Sequence, residues 1–369
     1  MSNRKRHIHF VGTSTEKLWG LDLIEWQERA FKKFGLTRAG DDQETSHILD
    51  AHFVLSNNLL KAFAESTNVA LIVDNKIIAV SGGTLDMLGQ SASAATGLQA
   101  LRPEQLVSSY DKALRKAEAP YALDIRTTSP DVIMKQQFAG SYKGITDFVT
   151  KFIWPIPAFY ATRLCANLRL TPNMVTTLSL GLTVAAFYCF MQGHWVLGFA
   201  TGWLMTFLDT VDGKLARTTM TFSKWGNIYD HGIDLIHPPF WYWAWFVGLG
   251  GAFVWPDFAS DPMTFALVAI LVGYVVDRVV EGIFIAQHGF HIHVWRPINS
   301  ALRFIIARRN PNMFIFMIAI ILTAVWPEAG RWGFYAVALW TWICIGFNLM
   351  VVGVGSFKRG KISSWMDPK

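Results

Sequence analysis

Four aspartates near the middle of the chain, Asp209, Asp212, Asp230 and Asp234, stand at spacings that chemistry can use. Asp209 and Asp212 are three residues apart and Asp230 and Asp234 four, which puts both members of each pair on one face of a helix. Carboxylates brought face to face raise one another's pKa and cannot all stay ionised unless cations sit between them. Oxygen-only ligands suit hard divalent ions such as Mg²⁺ or Mn²⁺, and a pair of such ions serves phosphoryl transfer. A competing reading, interhelical ion pairs that stabilise a bundle, is disfavoured because the cations nearby in sequence are too few to pair all four.

Small residues and one arginine punctuate the set. Asp209-Thr210-Val211-Asp212-Gly213-Lys214-Leu215-Ala216-Arg217 is followed, after eight residues, by Gly226-Asn227-Ile228-Tyr229-Asp230-His231-Gly232-Ile233-Asp234. This string resembles the signature of the CDP-alcohol phosphotransferase family, D-x-x-D-G-x-x-A-R-x8-G-x3-D-x3-D, with every defined position matched. Thr171-Pro172-Asn173, ahead of the first apolar stretch, fits the same family. The resemblance implies that Asp209, Asp212 and Asp230 hold two divalent ions, with Asp234 sharing one of them and serving as general base. It further implies a CDP site at Asp212, Gly213, Ala216, Arg217 and Gly226. Glycine and alanine leave a nucleotide room to approach the helix backbones, and Arg217 offers a planar fork of donors. Attack of an alcohol on the CDP-linked phosphorus would expel CMP. A six-helix fold and a homodimer in the inner or plasma membrane of a bacterium or archaeon also follow from the resemblance.

The elements that must carry these residues are membrane helices. Of 369 residues 52% are hydrophobic and 16% charged, against about 25% charged in soluble domains, and the apolar blocks dominate from Thr171 onward. Six stretches approach the roughly 20 residues a bilayer requires: 173–192, 195–217, 225–249, 263–288, 312–326 and 332–357. Lys214, Arg217 and Lys224, then Arg296, Arg303, Arg308 and Arg309, then Lys358, Arg359, Lys361 and Lys369 fall on one side of these spans. The positive-inside rule makes that side cytoplasmic, together with both termini and the carboxylates. The net charge of +6 is thereby assigned to topology and anionic lipid, and nucleic-acid binding is not expected. Cys165, Cys189 and Cys344 are too scattered for a disulfide framework or a zinc site.

Within the basic loops, Arg303 and Arg308 are candidates for acceptor or lipid phosphate contacts, and Arg278 joins them through its place beside Asp277 and Glu281. The last three residues could equally be a local ion-pair set. His231 and His237 flank the signature and receive no role.

Before Thr171 the chain changes character. Strands are expected at 7–12, 51–55 and 120–127, an amphipathic helix at 18–34, and a hairpin of 69–74 with 76–81 around Asp74-Asn75. The expected fold class is therefore an α-helical polytopic membrane protein with a cytoplasmic N-terminal α/β domain. Residues 1–140 form the head, 141–170 a juxtamembrane interfacial segment rich in aromatic and basic residues, and 171–369 the membrane domain. The head's opening resembles sugar-phosphate nucleotidyltransferases, as in fusions that make inositol-phosphate lipids. Its loop Gly12-Thr13-Ser14-Thr15-Glu16-Lys17 departs from their Gly-rich, arginine-bearing form, however, and carries an acid where a triphosphate would sit. A catalytically degenerate head is expected, with Asp50 at a position where such enzymes often bind metal. The expected reaction is metal-dependent transfer of a substituted phosphate group from a CDP-alcohol to an acceptor, inositol phosphate or glycerol phosphate. A cation or solute transporter is the alternative, but the outer halves of the second and third spans contain no acid to continue a polar path. An inactive anchor for the head is opposed by the intact signature.

Overall fold

The computed structural model describes residues 6–40, 44–111, 114–358 and 362–367. The basic positions Arg4, Lys5, Arg359, Lys361 and Lys369 lie outside them. The head is built on a six-stranded mixed sheet of β1 (Arg6–Val11), β2 (Leu36–Arg38), β3 (His47–Asp50), β4 (Val69–Val73), β5 (Lys76–Ser81) and β6 (Gln99–Leu101), in the order β2-β1-β3-β5-β4-β6. The β1 pairings with β2 and β3 are parallel, as is β4 with β6, whereas β3–β5 and β4–β5 are antiparallel. Helices α1 (Leu23–Lys32) and α2 (Asn57–Glu65) supply Trp26, Phe31 and Phe63 to a core shared with Ile8, Phe10 and Leu49. Side chains alternate along a strand, so Ile48 of β3 serves a smaller cluster with Ala70, Ile77 and Val80.

Three local features explain where the strand and helix expectations shift. The helix begins at Leu23 rather than Leu18 because Lys17–Leu18 and Leu21–Asp22 pair across Trp19 and Gly20, both at positive φ (54° and 72°). The expected strand at 51–55 shortens to Phe53–Leu55, and a separate strand, His47–Asp50, precedes it. Asp50 accepts the His52 N–H at 3.0 Å and turns the chain, leaving 47–50 in the main sheet and Phe53–Leu55 paired with Ala122–Asp124. The hairpin at Asp74-Asn75 forms as expected, with both residues at positive φ (47° and 63°), the geometry that matches strand twist.

After α3 (Pro130–Gly140), the juxtamembrane segment makes a widened helical turn, Val149–Ile153, and enters α4 (Pro155–Asn167). Phe148, Phe152, Ile156, Tyr160, Leu164 and Leu168 recur every fourth residue and are all exposed, whereas Ala158, Phe159, Thr162 and Ala166 are buried. One face thus packs on protein and the other presents an apolar stripe suited to lipid.

Six long helices complete the chain: α5 (Pro172–Met191), α6 (Trp195–Thr218), α7 (Lys224–Gly248), α8 (Pro262–His288), α9 (Arg309–Leu322) and α10 (Ala329–Phe357). Three of the starts, those of α5, α7 and α8, follow capping chemistry. Thr171 accepts the Met174 N–H, Ser223 that of Gly226 and Asp261 that of Thr264, with proline in the first turn of α5 and α8. Three of them, α5, α8 and α10, are long and apolar enough to cross a membrane. Charges lower the hydropathy of α6 and α7. The 14 residues of α9 reach only about 21 Å, short of a ~30 Å hydrocarbon core. Aromatic rings fill the bundle, with Trp245 stacked on Phe316 at 4.4 Å and Phe190 edge-on to Trp241 and Trp245.

Head and bundle share one core, since Val211, Leu215 and Met220 from and beyond α6 belong to the cluster that holds Ile8 and Trp26. The Trp26 indole N–H donates to the Thr218 carbonyl at 2.7 Å. Lys214 is buried, donates to the Ser141 carbonyl at 3.1 Å and lies 3.3 Å from the Tyr142 ring centroid.

His47 offers a pH test of the head. Burial, reinforced by the positive charge of Arg6, lowers its pKa to about 4, against about 6.5 in an unfolded chain. Between those values the unfolded state binds more protons, so stability is full above pH 6.5 and declines as pH falls toward 4, by at most about 3 kcal/mol. Protection factors of the 47–50 amides, with the intrinsic pH dependence of exchange divided out, should fall as pH drops across that window in the native protein and much less in His47→Gln; an equal fall in both would refute the assignment.

Candidate functional site

The site forms where α5, α6, α7 and α9 meet the juxtamembrane segment. Because α6 carries Asp209 and Asp212 near its C-terminal end and α7 carries Asp230 near its N-terminal end, oxygens of these three residues lie within 4.8 Å of one another. Asp212 is 1% exposed and its Oδ2 accepts the Thr176 hydroxyl of α5 at 2.5 Å. Its Oδ1 is buried without a partner. A buried carboxylate oxygen lacking a donor, beside two further carboxylates, has the donor chemistry of a hard-cation site.

Asp234 stands differently. Arg309, at the start of α9, donates to Asp234 at 2.5 Å through Nη1 and to Asp209 at 2.6 Å through Nη2. The guanidinium thus clamps α6 to α7 and compensates two of the four acids. Asp230 lies 3.5 Å from the ring of His231. His237 is buried with Nδ1 at 2.7 Å from the Ile233 carbonyl, away from the acids.

An open cavity of ≈ 270 Å³ covers the signature, with Gly213, Ala216, Arg217, Gly226 and all four aspartates in its lining. Neighbouring side chains approach both glycines closely. A Cβ on Gly213 would meet Arg217 Nη2 at 3.0 Å, and one on Gly226 would meet Asn173 Oδ1 at 2.7 Å and Ser223 Oγ at 2.8 Å. Asn173 of the Thr-Pro-Asn turn therefore seats directly on the second half of the signature.

A second cavity, ≈ 360 Å³, adjoins the first and contains Arg278, Arg308, His291 and His293. Asp234, Asp147, Arg115, Lys143, Arg303 and Arg309 line both. Of the arginines expected here, Arg303 faces the carboxylates' cavity, whereas Arg308 and Arg278 turn to Glu281. Arg308 pairs with it directly, His293 Nε2 is 2.8 Å from it and Arg278 3.6 Å. Asp277 instead accepts from Asn348 of α10 at 2.8 Å. Adjacent residues Arg308 and Arg309 thus serve separate acids, and only Arg309 enters the signature cluster.

Sequence reasoning missed Arg309 as a member of the cluster, and also Thr176, Asp147, Lys143 and Arg115. Asp147 is buried and accepts from Asn310 at 3.0 Å and the Thr150 hydroxyl at 2.8 Å. Burial pushes its carboxyl up, but Asn310, Arg303 and Thr150 outweigh that and hold it below the ordinary value. Burial, with Arg115, Arg217 and Arg303 close by, lowers Lys143 to about 8. The same two causes, burial and then Arg308, bring Arg303 to about 9. A phosphate group placed among these cations would oppose both effects.

In the head, Lys17 pairs with Asp22 at 3.6 Å, and His52 Nε2 lies 3.1 Å from the Thr13 carbonyl across Gly12. Asp50 accepts from His52 Nδ1 at 2.7 Å and has Arg126 at 3.4 Å. The cation of the Gly12–Lys17 loop and the aspartate at the metal-binding position therefore both have neighbours of opposite charge.

Replacing Arg309 by Gln leaves Asp209 uncompensated in a water-poor setting, at an expected cost of roughly 3 kcal/mol, with half-exposed Asp234 adding little. Restoring balance in Arg309→Gln/Asp209→Asn should recover a large part of that loss in thermal melts. A double variant no more stable than the single one would refute the clamp.

The family described as CDP-alcohol phosphatidyltransferase matches residues 169–351, from the turn before α5 into α10. The archaetidylinositol phosphate synthase of Pyrococcus horikoshii is 29% identical over 178 residues, 48% of this chain and 81% of that protein. The phosphatidylinositol phosphate synthase of Cutibacterium acnes is 29% identical over 106 residues, 27% of this chain and 50% of that protein. Among solved structures, a phosphatidylinositol phosphate synthase of Mycobacterium tuberculosis with CDP-DAG bound aligns over 56% of this chain and 98% of its own, at 19% identity and a TM-score of 0.43.

Proposed function

Through residues 169–351 the chain belongs to the CDP-alcohol phosphatidyltransferase family and is a transferase, and we propose that it transfers a phospholipid-forming phosphate group from a CDP-alcohol to inositol phosphate, releasing CMP. Glycerol phosphate is the second acceptor to consider. The observation that carries this reading is the position of Asp234 in the wall common to two cavities, one lined by the signature and the other rich in arginine. A base there faces a donor on one side and an acceptor on the other.

Asp209, Asp212 and Asp230 would hold divalent metal, two Mg²⁺ or Mn²⁺ ions, with Asp234 as a further ligand. When bound, these ions neutralise charge on the oxygens exchanged at phosphorus. Gly213, Ala216 and Gly226 admit the CDP moiety against the helix backbones, and Arg217 contacts its phosphate or base edge. Asp234 takes the proton of the acceptor hydroxyl. The new bond joins that oxygen to the lipid-bearing phosphorus, the bond from that phosphorus to the CMP oxygen breaks, and CMP leaves with the electron pair. Arg303, with Arg308 and Arg278 further into the second cavity, attracts the acceptor's phosphate.

The membrane region, 171–369, crosses the bilayer six times in this proposal, with α6, α7 and the short α9 made tolerable by packing within the bundle. Residues 141–170 lie in the interface, and both termini and the site face the cytoplasm of a bacterium or archaeon. The enzyme works as a homodimer. Residues 1–140 form a nucleotidyltransferase-like head without turnover, which is supported by the engagement of Lys17 with Asp22 and of Asp50 with His52 and Arg126.

A CMP-release assay on the purified full chain, with CDP-alcohol, inositol phosphate and Mg²⁺, tests the reaction. Asp230→Asn should abolish transfer without unfolding the protein, and Asp234→Asn should bind CDP-alcohol normally while losing about 10² to 10⁴ in rate. Full Mg²⁺-dependent turnover by the first variant, or parallel loss of rate and nucleotide affinity in the second, would overturn the respective role. For the head, the full chain given CTP and polyol phosphates should form no pyrophosphate above background; formation would restore it as an enzyme.

A further inference from the structure

The second cavity has an excess of positive charge. Six cations line it, Arg115, Lys143, Arg278, Arg303, Arg308 and Arg309, against the three carboxylates Asp147, Asp234 and Glu281. Each acid is already engaged: Glu281 by Arg308, Arg278 and His293, Asp234 by Arg309, and Asp147 by Asn310 and Thr150. Among the described residues, Arg115, Lys143 and Arg303 have no ion-pair partner. Arg303 Nε and Nη1 are also buried without an acceptor. Asp147 offsets Arg303 in part, but cations gathered in excess over carboxylates are costly to hold, and an anion offering several acceptor oxygens would relieve that cost.

Two of the three unpaired cations precede the stretch matched to the family. Lys143 lies in the juxtamembrane segment, and Arg115 stands between the short paired strands Tyr110–Asp111 and Lys116–Ala117 of the head. The Arg115 backbone is left-handed, φ 52°, a conformation that a residue with a Cβ adopts only when its surroundings enforce it. The enforcing contacts are visible. Gly144 donates its N–H to the Leu114 carbonyl at 2.9 Å. A Cβ on Gly144 would lie 2.5 Å from the Arg115 carbonyl oxygen and 2.6 Å from the Lys116 Cβ, so only glycine lets the juxtamembrane segment approach the turn this closely. Lys116 pairs with Glu118 at 2.5 Å and donates to the Ala139 carbonyl at 3.1 Å, fastening the turn to the end of α3. The head thus holds one arginine in a strained conformation at the cavity shared with Asp234.

We propose that Arg115 is a specificity-determining residue of the membrane enzyme and that, with Lys143 and Arg303, it binds the phosphate monoester of the acceptor. The head then has a function without turnover of its own: it forms one wall of the acceptor site and restricts acceptors to phosphorylated polyols. This rests on the transfer reaction proposed above for its biological meaning, but the binding can be measured without donor or turnover.

The experiment is isothermal titration of the purified full chain with inositol phosphate, unphosphorylated inositol and inorganic phosphate. The native protein should bind inositol phosphate and at least tenfold more weakly bind inositol. Arg115→Asn removes the charge with a residue that tolerates positive φ, and should weaken inositol phosphate at least tenfold while CDP-alcohol affinity stays within twofold. Arg115→Lys, which keeps the charge but loses the planar fork, should fall between and gives the same comparison if the asparagine variant does not fold. Inorganic phosphate binding as tightly as inositol phosphate would reassign the site to free phosphate and overturn the acceptor role. Unchanged inositol phosphate affinity in the variants, or equal affinity of the native protein for inositol and inositol phosphate, would also overturn it. Absence of CMP release alongside the expected binding pattern would count against the transfer reaction alone.

Discussion

Repulsion among four carboxylates at the facing ends of two bundle helices is the constraint around which the rest of this molecule is arranged. Asp209, Asp212 and Asp230 converge within 4.8 Å, a grouping that would separate α6 from α7 unless positive charge or hydrogen-bond donors held it. Thr176 supplies one donor and Arg309 the charge, with two bonds that reach both helices. The need to bring Arg309 back to this point accounts for the path before α9. The chain leaves α8 at Gly289, turns through two short helical pieces and re-enters with Arg308 and Arg309 directed at different acids.

The head extends the same arrangement. Lys214 is buried inside the signature itself, and its ammonium meets the Ser141 carbonyl and the Tyr142 ring, both from the segment that joins head to bundle. A soluble α/β domain and a membrane bundle would ordinarily be connected by a tether. Here the tether is part of the cavity wall, because Asp147, Lys143 and Arg115 stand opposite the aspartates. The apolar stripe from Phe148 to Leu168 lies on the outer face of that same segment.

What could be read from the sequence was what depends on short spacing. The aspartate pairs, the glycines and Arg217 sit within 26 residues of one another, and helical periodicity relates them directly. The hairpin at Asp74-Asn75 was legible for the same reason, since two adjacent residues suited to positive φ specify the turn. Arg309 was not, because its partners lie 75 and 100 residues away and its neighbour Arg308, identical in type, points elsewhere. Arg115 was hidden by a turn whose geometry depends on Gly144, 29 residues on. The late start of the strand expected at 51–55 followed from a side chain, Asp50, capturing a backbone N–H, which strand periodicity does not report. The six helices were visible as apolar blocks, although α9 begins at Arg309 and is shorter than its hydrophobic stretch suggested.

The bond from Trp26 to Thr218 spans 192 residues, and it orders events during synthesis. A ribosome completes the head well before it has made α6, so the emerging domain has an indole N–H without its acceptor and an apolar surface awaiting Val211, Leu215 and Met220. Contacts of such separation form late. The nascent head therefore spends the interval in which α5 and α6 are synthesised with one side of its core unsealed, and its maturation is timed by the assembly of the helical bundle as well as by its own sheet.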